Sequence, residues 1–178
     1  KSWAFAIFKL KLNSNAYLGL GGNLGDTIIT FQAALSLISR FASVVSVSRL
    51  FHSAPFGYTK QAPFVNAAAH LTTNLTPIEL LDRLQYVEGA LGKEVVRENG
   101  PRIIDLDLLL FDDLVLESDR LTLPHPEILQ RDFVLLPLEE IAPDLSNRAW
   151  GSQTLKSAIG KLPKRFVEKE PVEWNYRI

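Results

Sequence analysis

The chain has 178 residues, of which 47% are hydrophobic and 22% charged, and its formal net charge is −1. These values are typical of a water-soluble globular protein with a sizeable core, so we expect a single domain over residues 1–178. The near-neutral charge excludes a global basic field that would attract nucleic acid or an anionic membrane. The lack of cysteine excludes disulfides and thiolate metal sites.

The start of the chain carries no recognisable export signal. The apolar run at 3–8 is too short to span a bilayer or to form the hydrophobic region of a signal peptide. We therefore expect a cytoplasmic protein that contacts no membrane. Because residue 1 is lysine rather than methionine, a missing transit peptide and an organellar location stay open.

The first half of the chain predicts the order strand, helix, strand, strand. Residues 16–20 form a short apolar run before two glycines, and Asp26 can cap the helix that follows. Residues 44–51 alternate in polarity, and residues 64–72 form a third strand after a loop rich in proline and glycine. The apolar stripe of the helix comprises Ile28, Phe31, Leu35 and Ile38.

A second helix and a fourth strand complete the pattern. Thr76 and Glu79 form a capping box around a proline at the first helical position, and the helix runs to Gly92. The fourth strand covers residues 102–111. Beyond it we expect a hairpin at 115–123, a helical turn at 126–130 and an apolar element at 134–141, whereas the tail from Lys161 has no assignment.

The order β-α-β-β-α-β predicts an α+β protein with a ferredoxin-like core. In this fold, two helices pack on one face of a four-stranded antiparallel sheet. The elements after residue 111 would be C-terminal additions to that core.

Asp105 and Asp107 are the most informative polar pair in the chain. They alternate with leucines on the fourth strand, so both carboxylates point to the same face. Adjacent carboxylates repel each other, and burial without a partner is costly. A divalent cation would satisfy both, and all-oxygen ligation favours Mg²⁺ or Mn²⁺ over zinc. The alternative is an edge strand whose carboxylates face water.

The glycine-rich stretch 19–25 does not match a known nucleotide-binding fingerprint. A dinucleotide site needs glycine at position 24, where this chain has leucine, and the P-loop lysine is also missing. The stretch predicts either a tight strand-to-helix turn or a turn whose backbone amides approach a ligand.

Five segments, taken in order, resemble one family of enzymes. They read GGNLGD at 21–26, SAPFG at 53–57, FVNAA at 64–68, GPRIIDLDLLLF at 100–111 and LTLPHP at 121–126, followed by Arg131 and Phe133. On these motifs the chain is similar to the 6-hydroxymethyl-7,8-dihydropterin pyrophosphokinases of folate biosynthesis. The resemblance spans about residues 16–145. It implies a ferredoxin-like fold and transfer of pyrophosphate from ATP to the pterin hydroxymethyl group, giving AMP.

The resemblance also assigns the nucleotide site. Asp105 and Asp107 would bind two Mg²⁺ that bridge the ATP phosphates, which suits a transfer governed by positioning and charge neutralisation. Arg102 would face the phosphates as a catalytic cation, with a salt bridge to Asp105 as its alternative role. Gln85 and Glu88 would face the adenosine side. The whole implied nucleotide-binding set is Gln85, Glu88, Lys93, Arg97, Arg120, Thr122, His125 and Arg131.

The pterin site follows from the same resemblance. A flat heteroaromatic ring needs aromatic side chains against its faces and hydrogen-bonding groups at its rim. Phe64 and Phe133 match the family's stacking pair, and Asn66 matches the amide that binds the ring edge. Ser53, Ala54, Pro55 and Phe56 match the loop that lines the pocket. Without the resemblance, both phenylalanines would be read as core residues.

Two departures from the family pattern stand out. Serine is common in the family where this chain has Gly22, and we expect this departure to be tolerated. The family usually places several arginines in the loop at 92–99, whereas this chain has only Lys93 and Arg97. Lysine lacks the bidentate fork of arginine, so we expect a mobile loop that closes only partly over ATP.

Two alternatives concern partners. A ferredoxin-like sheet can bind RNA, but that requires an aromatic strand motif and a basic face, and the sequence has neither. The chain can also be the kinase portion of a longer protein, fused to another folate enzyme such as dihydroneopterin aldolase or dihydropteroate synthase. That second alternative stays open.

Overall fold

The structure is a computed structural model that describes residues 13–94, 97 and 99–176. Its first half contains strand β1 (Ser14–Gly22), helix α1 (Thr27–Ile38), strands β2 (Ser43–Val47), β3 (Phe51–Ser53) and β4 (Phe64–Thr73), helix α2 (Pro77–Ala90) and strand β5 (Asp105–Phe111). There follow strands β6 (Leu116–Glu117) and β7 (Thr122–Leu123), a 3-10 turn (Ile128–Gln130), helix α3 (Asp132–Ile141), a second 3-10 turn (Arg148–Trp150) and helix α4 (Leu155–Lys161).

A twisted antiparallel sheet with helices on both faces confirms the predicted α+β class. Its strands lie in the order β2-β4-β1-β5, and β3 also pairs with β4. The long β1 occupies the centre, paired with β4 from Ser14 and Thr73 to Gly22 and Val65. On its other side β1 pairs with β5, which places Gly21 opposite Asp105 and Gly19 opposite Asp107.

Alternation along the strands divides the sheet into two faces. Leu18, Leu20, Leu106 and Leu108 point to the face covered by α1 and α2 and form the main core there. A second cluster on the opposite face joins β4 and β5 to α3 and α4 through Ala68, Leu109, Leu135, Leu138, Leu155 and Ala158. Because α3 and α4 cover only part of this second face, the ends of β1, β4 and β5 near Gly21 are left for a binding site.

The predicted helices are confirmed, with one correction to their packing. Asp26 accepts a hydrogen bond from Ile29 N at 3.1 Å, and Thr76 and Glu79 form the full capping box of α2. Ile28, predicted in the apolar stripe of α1, is instead 48% exposed. The buried face comprises Thr27, Phe31, Ala34, Leu35 and Ile38, whose spacing turns Ile28 towards solvent.

The predicted second and fourth strands differ from those observed. The strand expected at 44–51 splits into β2 and β3, because Ser48 Oγ accepts a hydrogen bond from Ala68 N and Leu50 pairs with Val172 of the C-terminal segment. The strand expected from residue 102 begins at Asp105. Arg102 lies before it, because its backbone N–H donates to Asn23 Oδ1 at 2.9 Å.

The tail, which the sequence left unassigned, packs along β3. Leu50 and Val172 exchange two backbone hydrogen bonds of 2.9 Å, and Ala54 N donates to Phe166 O at 2.8 Å. Trp174 lies edge-on to Phe31 and donates from Nε1 to Ser48 O. Within the described ranges, no helix is both long and apolar enough to cross a bilayer.

Candidate active site

Two glycines of β1 open the sheet surface beneath the carboxylates of β5. Gly19 and Gly21 lie directly opposite Asp107 and Asp105, so β1 projects no side chain between these carboxylates and β4. A Cβ at Gly21 would lie 3.7 Å from Asn66 Oδ1 and 3.9 Å from the Cβ of Asp105. The glycine-rich stretch therefore forms the floor of a cleft.

Asp105 is held by two cations. Its Oδ2 lies 2.6 Å from Arg102 Nη1, and its Oδ1 lies 2.7 Å from Lys93 Nζ. Lys93 Nζ also lies 2.8 Å from Glu88 Oε1, which accepts a hydrogen bond from Leu106 N at 2.6 Å. The salt bridge that was the alternative role of Arg102 is thus formed in this structure. Burial lowers the pKa of Lys93, but its bonds to the two carboxylates outweigh this and leave the pKa raised.

Asp107 differs sharply from its neighbour. The backbone of Asp107 pairs with Gly19, but in the part of the chain that the structure describes its carboxylate makes no hydrogen bond or ion pair to another residue. The pKa of its carboxyl is raised to about 7, mainly by burial and in addition by the negative charges of Asp105 and Glu88. Lys93 and Arg102 oppose the shift without cancelling it. An ionised Asp107 therefore needs additional positive charge close by.

The donor set fits Mg²⁺. Mg²⁺ is usually held by one or two carboxylates together with waters and substrate phosphates, rather than by an all-protein cage. Among residues 13–94, 97 and 99–176, no group of three or more His, Cys, Asp or Glu side chains could hold a metal ion. Asp105 and Asp107 supply two neighbouring carboxylates, of which only Asp105 is paired with cations of the protein, and this is the partial set that a metal–phosphate complex would complete.

Two cavities meet at these carboxylates. The first, here called the aromatic cavity, is lined by Ser53, Ala54, Phe56, Phe64, Asn66, Arg131 and Phe133, together with Gly19, Gly21 and Arg102. The second, here called the polar groove, is lined by Gln85, Glu88, Lys93, Arg120 and Thr122. Asp105, Asp107 and His125 line both. A molecule in one cavity can therefore contact a molecule in the other at this shared wall.

The neutral residues of the aromatic cavity are held in fixed positions by their neighbours. Asn66 is 6% exposed, and its Nδ2 donates to Ser53 Oγ at 2.9 Å and to Phe51 O at 3.2 Å. Phe64 lies under the guanidinium of Arg102, whose Cζ is 5.6 Å from the ring centroid. Of the predicted pterin residues, Pro55 is not among those that line this cavity.

The predicted nucleotide residues fall into three places. Gln85, Glu88, Lys93, Arg120, Thr122 and His125 line the polar groove. Arg131 lines the aromatic cavity instead, where its Cζ lies 4.5 Å from the ring centroid of Phe56. Arg97 stacks over Tyr58 beside a small adjoining pocket. Glu88 is buried, and besides lining the groove it ties α2 to the start of β5.

His125 presents a donor at the shared wall. Its backbone N–H donates to Leu109 O at 2.8 Å, and its Nδ1 accepts from Glu127 N at 3.2 Å. The proton of the neutral ring is therefore on Nε2. Burial lowers the pKa of this histidine, and the charge of Arg131 lowers it further. The imidazole can thus donate one hydrogen bond without carrying a charge.

Sequence reasoning found no role for Asn23, which proves to join three loops. Its backbone N–H donates to Arg102 O at 2.9 Å and its Oδ1 accepts from Arg102 N. Its Nδ2 donates to Gln61 Oε1 and to Ala62 O, both at 3.0 Å. The signal was present in the sequence, because an asparagine after two glycines is suited to bridging backbone groups.

Gly22 lies in close contact with the segment that precedes β5. A Cβ at this position would lie only 2.7 Å from the backbone oxygen of Ile103, a distance that side chains do not adopt. Serine would therefore not be tolerated here without a backbone shift. The expectation that the loop at 92–99 closes only partly over ATP stays a prediction, and Val95, Val96 and Glu98 of this loop lie outside the described residues.

Comparison with known proteins gives a consistent result. The sequence model of 7,8-dihydro-6-hydroxymethylpterin-pyrophosphokinase matches residues 17–143. The chain is 41% identical to the 2-amino-4-hydroxy-6-hydroxymethyldihydropteridine pyrophosphokinase of Haemophilus influenzae, over 90% of this chain and 98% of that protein. It is 39% identical to the enzyme of the same name from Methylorubrum extorquens, over 88% of this chain and 98% of that protein.

Longer proteins also match. The chain is 39% identical to the folic acid synthesis protein of Schizosaccharomyces pombe over 87% of its own length, but it spans only 21% of that protein. Its structure matches wild-type Plasmodium falciparum HPPK-DHPS with a TM-score of 0.67 and 15% identity, over 84% of this chain and 44% of that chain. This structural similarity concerns the fold alone.

Proposed function

This chain belongs to the 7,8-dihydro-6-hydroxymethylpterin-pyrophosphokinase family, and we propose that it transfers the pyrophosphoryl group of ATP to 6-hydroxymethyl-7,8-dihydropterin in folate synthesis. The hydroxymethyl oxygen forms a bond to the β phosphorus. The bond between that phosphorus and the oxygen leading to the α phosphate breaks, AMP leaves with the electron pair, and the hydroxyl proton is released. The family match over residues 17–143 and bacterial relatives of nearly the same length support this reaction.

The observation that carries the proposal is the wall shared by the two cavities. With the pterin in the aromatic cavity and ATP in the polar groove, the acceptor hydroxyl and the β phosphorus meet beside Asp105, Asp107 and His125. In phosphoryl-type transfer, the main task of the protein is to hold the two reactants next to each other in a reactive orientation. The position of the wall supports the reaction independently of the sequence motifs.

In the aromatic cavity, the chain's residues bind and orient the pterin. Phe64 and Phe133 would pack on the ring faces, and Asn66, held by Ser53, would meet the polar ring edge. The loop at 53–56 would close the remaining side, with Ala54 and Phe56 against the ring.

In the polar groove and around the wall that it shares with the aromatic cavity, the chain's residues would neutralise and orient the triphosphate. Lys93 and Arg102 would exchange part of their contact with Asp105 for phosphate oxygens, and His125 would donate from Nε2. Arg120 would add positive charge within the groove, with Gln85 and Thr122 towards the nucleoside. Arg131 would act from the aromatic cavity, and Arg97 from the adjoining pocket. Arg120 is paired with Asp82 and would need to leave that pair.

Asp105 and Asp107 would hold two Mg²⁺ together with the phosphates. When bound, the metal ions neutralise charge that develops on the phosphoryl oxygens and hold the reacting groups in line. The raised pKa of Asp107 supports this assignment, because positive charge beside it would restore the ionised form at neutral pH.

We also propose that the chain forms one domain with a ferredoxin-like topology. The sheet order β2-β4-β1-β5 suggests a ferredoxin-like arrangement in which β2 and β3 together form one interrupted strand. One domain extends to the C-terminal segment, since Trp174 packs against the main core.

Product analysis tests the reaction. The protein is incubated with ATP, Mg²⁺ and hydroxymethyldihydropterin, and the nucleotide products are separated by chromatography. We expect AMP to appear in equal amounts with the pterin diphosphate, and no AMP without the pterin. Formation of ADP in place of AMP, or no turnover by folded protein, would exclude the proposed reaction.

A further inference from the structure

A segment that follows the residues of the family match packs against aromatic residues of the aromatic cavity. The family match ends at residue 143, yet Phe166 contacts two of the aromatic residues that line the cavity. Its ring centroid lies 5.5 Å from that of Phe56 and 5.9 Å from that of Phe133, both in edge-to-face geometry. Phe166 itself does not line the cavity, so it can act only through these rings.

Backbone hydrogen bonds attach this segment to the cavity loop. Ser53 forms a bridge with Val167, and Ala54 N donates to Phe166 O at 2.8 Å. Glu168 N donates to His52 O at 3.1 Å. Ser53 and Ala54, which line the cavity, are therefore paired with the C-terminal segment through their backbone.

A buried carboxylate holds the segment from the other side. Asp132 is 1% exposed, and its Oδ2 accepts hydrogen bonds from Phe166 N at 2.7 Å and from Val167 N at 2.9 Å. Two N–H groups on one buried carboxylate oxygen form a strong, directional anchor. Asp132 immediately precedes Phe133, so the anchor and the cavity ring lie on consecutive residues at the start of α3.

We infer that Phe166 is a positioning residue for the pterin, and that Asp132 anchors it in place. Phe166 keeps Phe56 and Phe133 at a fixed spacing, and the segment at 166–168 keeps the Ser53–Ala54 backbone in register with them. Both effects act on the aromatic cavity and neither reaches the polar groove. The inference rests on the proposed function, because it assumes that the pterin occupies the aromatic cavity.

The test compares pterin and nucleotide affinity in three variants of the full chain. Phe166→Leu removes the ring, Phe166→Tyr keeps it, and Val172→Ala is the matched control in the same segment. Val172 exchanges two backbone hydrogen bonds with Leu50, which alanine would keep, and the residue is 47% exposed. Calorimetry measures the Kd of the pterin and, separately, the Kd of an ATP analogue that resists transfer, with Mg²⁺ present.

We expect Phe166→Leu to raise the pterin Kd about 5- to 30-fold, because two aromatic contacts are lost. The Kd of the ATP analogue should change less than about twofold, and Phe166→Tyr and Val172→Ala should resemble the parent. Asp132→Asn, which keeps an acceptor oxygen but loses its charge, should raise the pterin Kd by a smaller factor.

Two results would overturn the inference. One is a Phe166→Leu protein whose pterin Kd equals that of the parent. The other is an equal loss of affinity for both ligands, with a lowered melting temperature, because that would make Phe166 a general packing residue. If the folded parent itself bound ATP but no pterin, the proposed function would fail and this inference with it.

Discussion

The aromatic cavity and the polar groove share three residues, yet their remaining walls are held together by different interactions. In the cavity, most groups are fixed by hydrogen bonds and ring contacts, as with Asn66 on Ser53 and Phe133 on Phe166, and its wall also holds one ion pair, Arg131 with Glu127 at 3.2 Å. In the groove, the charged groups pair with each other, as with Lys93 between Glu88 and Asp105. The cavity is therefore preorganised for its ligand, whereas the groove must exchange ion pairs to accept one.

The two carboxylates of the shared wall also differ in whether the protein itself supplies their partners. Asp105 has a cation on each oxygen, and Asp107 has a pKa raised to about 7 by burial and by neighbouring negative charge. The protein thus satisfies one carboxylate itself and leaves the other dependent on a ligand. Catalytic sites commonly hold such unrelieved charge at a cost in stability.

The largest expected effect comes from removing the unsatisfied carboxylate. Asp107→Ala should lower turnover by about three or more orders of magnitude while the fold is kept, because a repulsive charge is removed and a metal ligand lost. The matched control is Asp144→Ala, an exposed carboxylate beyond α3. Steady-state rates at saturating substrates make the comparison. Near-normal turnover by Asp107→Ala would mean that the metals do not depend on this residue.

The pH dependence of stability sharpens the contrast between the carboxylates. Because the folded pKa of Asp107 lies near 7 and the ordinary value is 3.8, the folded state binds more protons between these values. The contribution of Asp107 to stability therefore falls as pH rises from about 4 to about 7. Asp107→Asn should escape this loss and exceed the parent by about 1–3 kcal/mol at pH 8, with little difference at pH 4.

Urea unfolding of the parent and of Asp107→Asn at several pH values measures this difference. The matched control is Asp144→Asn, which should follow the parent at each pH. A stability difference between Asp107→Asn and the parent that stays constant from pH 4 to pH 8 would show that Asp107 is not titrating in this range. Adding Mg²⁺ should stabilise the parent more at pH 8 than at pH 5, because the metal ion competes with the proton.

Alanine variants of residues in the aromatic cavity should weaken binding of the pterin and not of the nucleotide. Asn66→Ala and Phe64→Ala should each weaken pterin binding by about 1–3 kcal/mol, through an unpaired hydrogen-bonding group or lost stacking. Nucleotide affinity should stay close to that of the parent. The control is Tyr86→Ala, because Tyr86 is 72% exposed on α2. If ATP affinity fell and pterin affinity did not, the two sites would be exchanged.

The smallest expected effect concerns the loop at 92–99. Val95, which lies outside the described residues, belongs to a segment with only Lys93 and Arg97 as cations. Val95→Arg should tighten ATP binding or raise turnover by about two- to fivefold, since a guanidinium can bind phosphate in a bidentate manner. The matched control is Val45→Arg, because Val45 is an exposed residue of β2. If both variants had the same kinetics as the parent, the loop would not limit nucleotide closure.

Much of the fold could be predicted because local signals agree with the tertiary structure. The capping box of α2 and the alternation around Asp105 and Asp107 are properties of short segments. The split between β2 and β3 could not be predicted, because it depends on contacts of Ser48 and Leu50 with distant residues. The exposure of Ile28 also depends on which helix face meets the sheet.

Prediction of the candidate site from the sequence had the same limit. Family motifs selected residues that line the two cavities, but they did not place Arg131 on the aromatic side or reveal the Lys93–Glu88–Leu106 connection. Nor did they indicate Phe166, whose role depends on a chain segment that returns to the cavity after α4. Pairings between residues far apart in the chain carry no periodicity that a sequence pattern could display.

The central claim is that the two ligands meet at Asp105 and Asp107, and a distance measurement tests it most directly. Mn²⁺ replaces Mg²⁺ on a methylene-bridged ATP analogue, and paramagnetic relaxation of the pterin hydroxymethyl protons reports their distance from the metal. Reacting atoms about 3–3.5 Å apart and metal–oxygen bonds of about 2.1 Å place these protons roughly 5–7 Å from Mn²⁺. A distance beyond about 12 Å, with both ligands bound, would contradict the account, because a shared wall cannot separate the reactants that far.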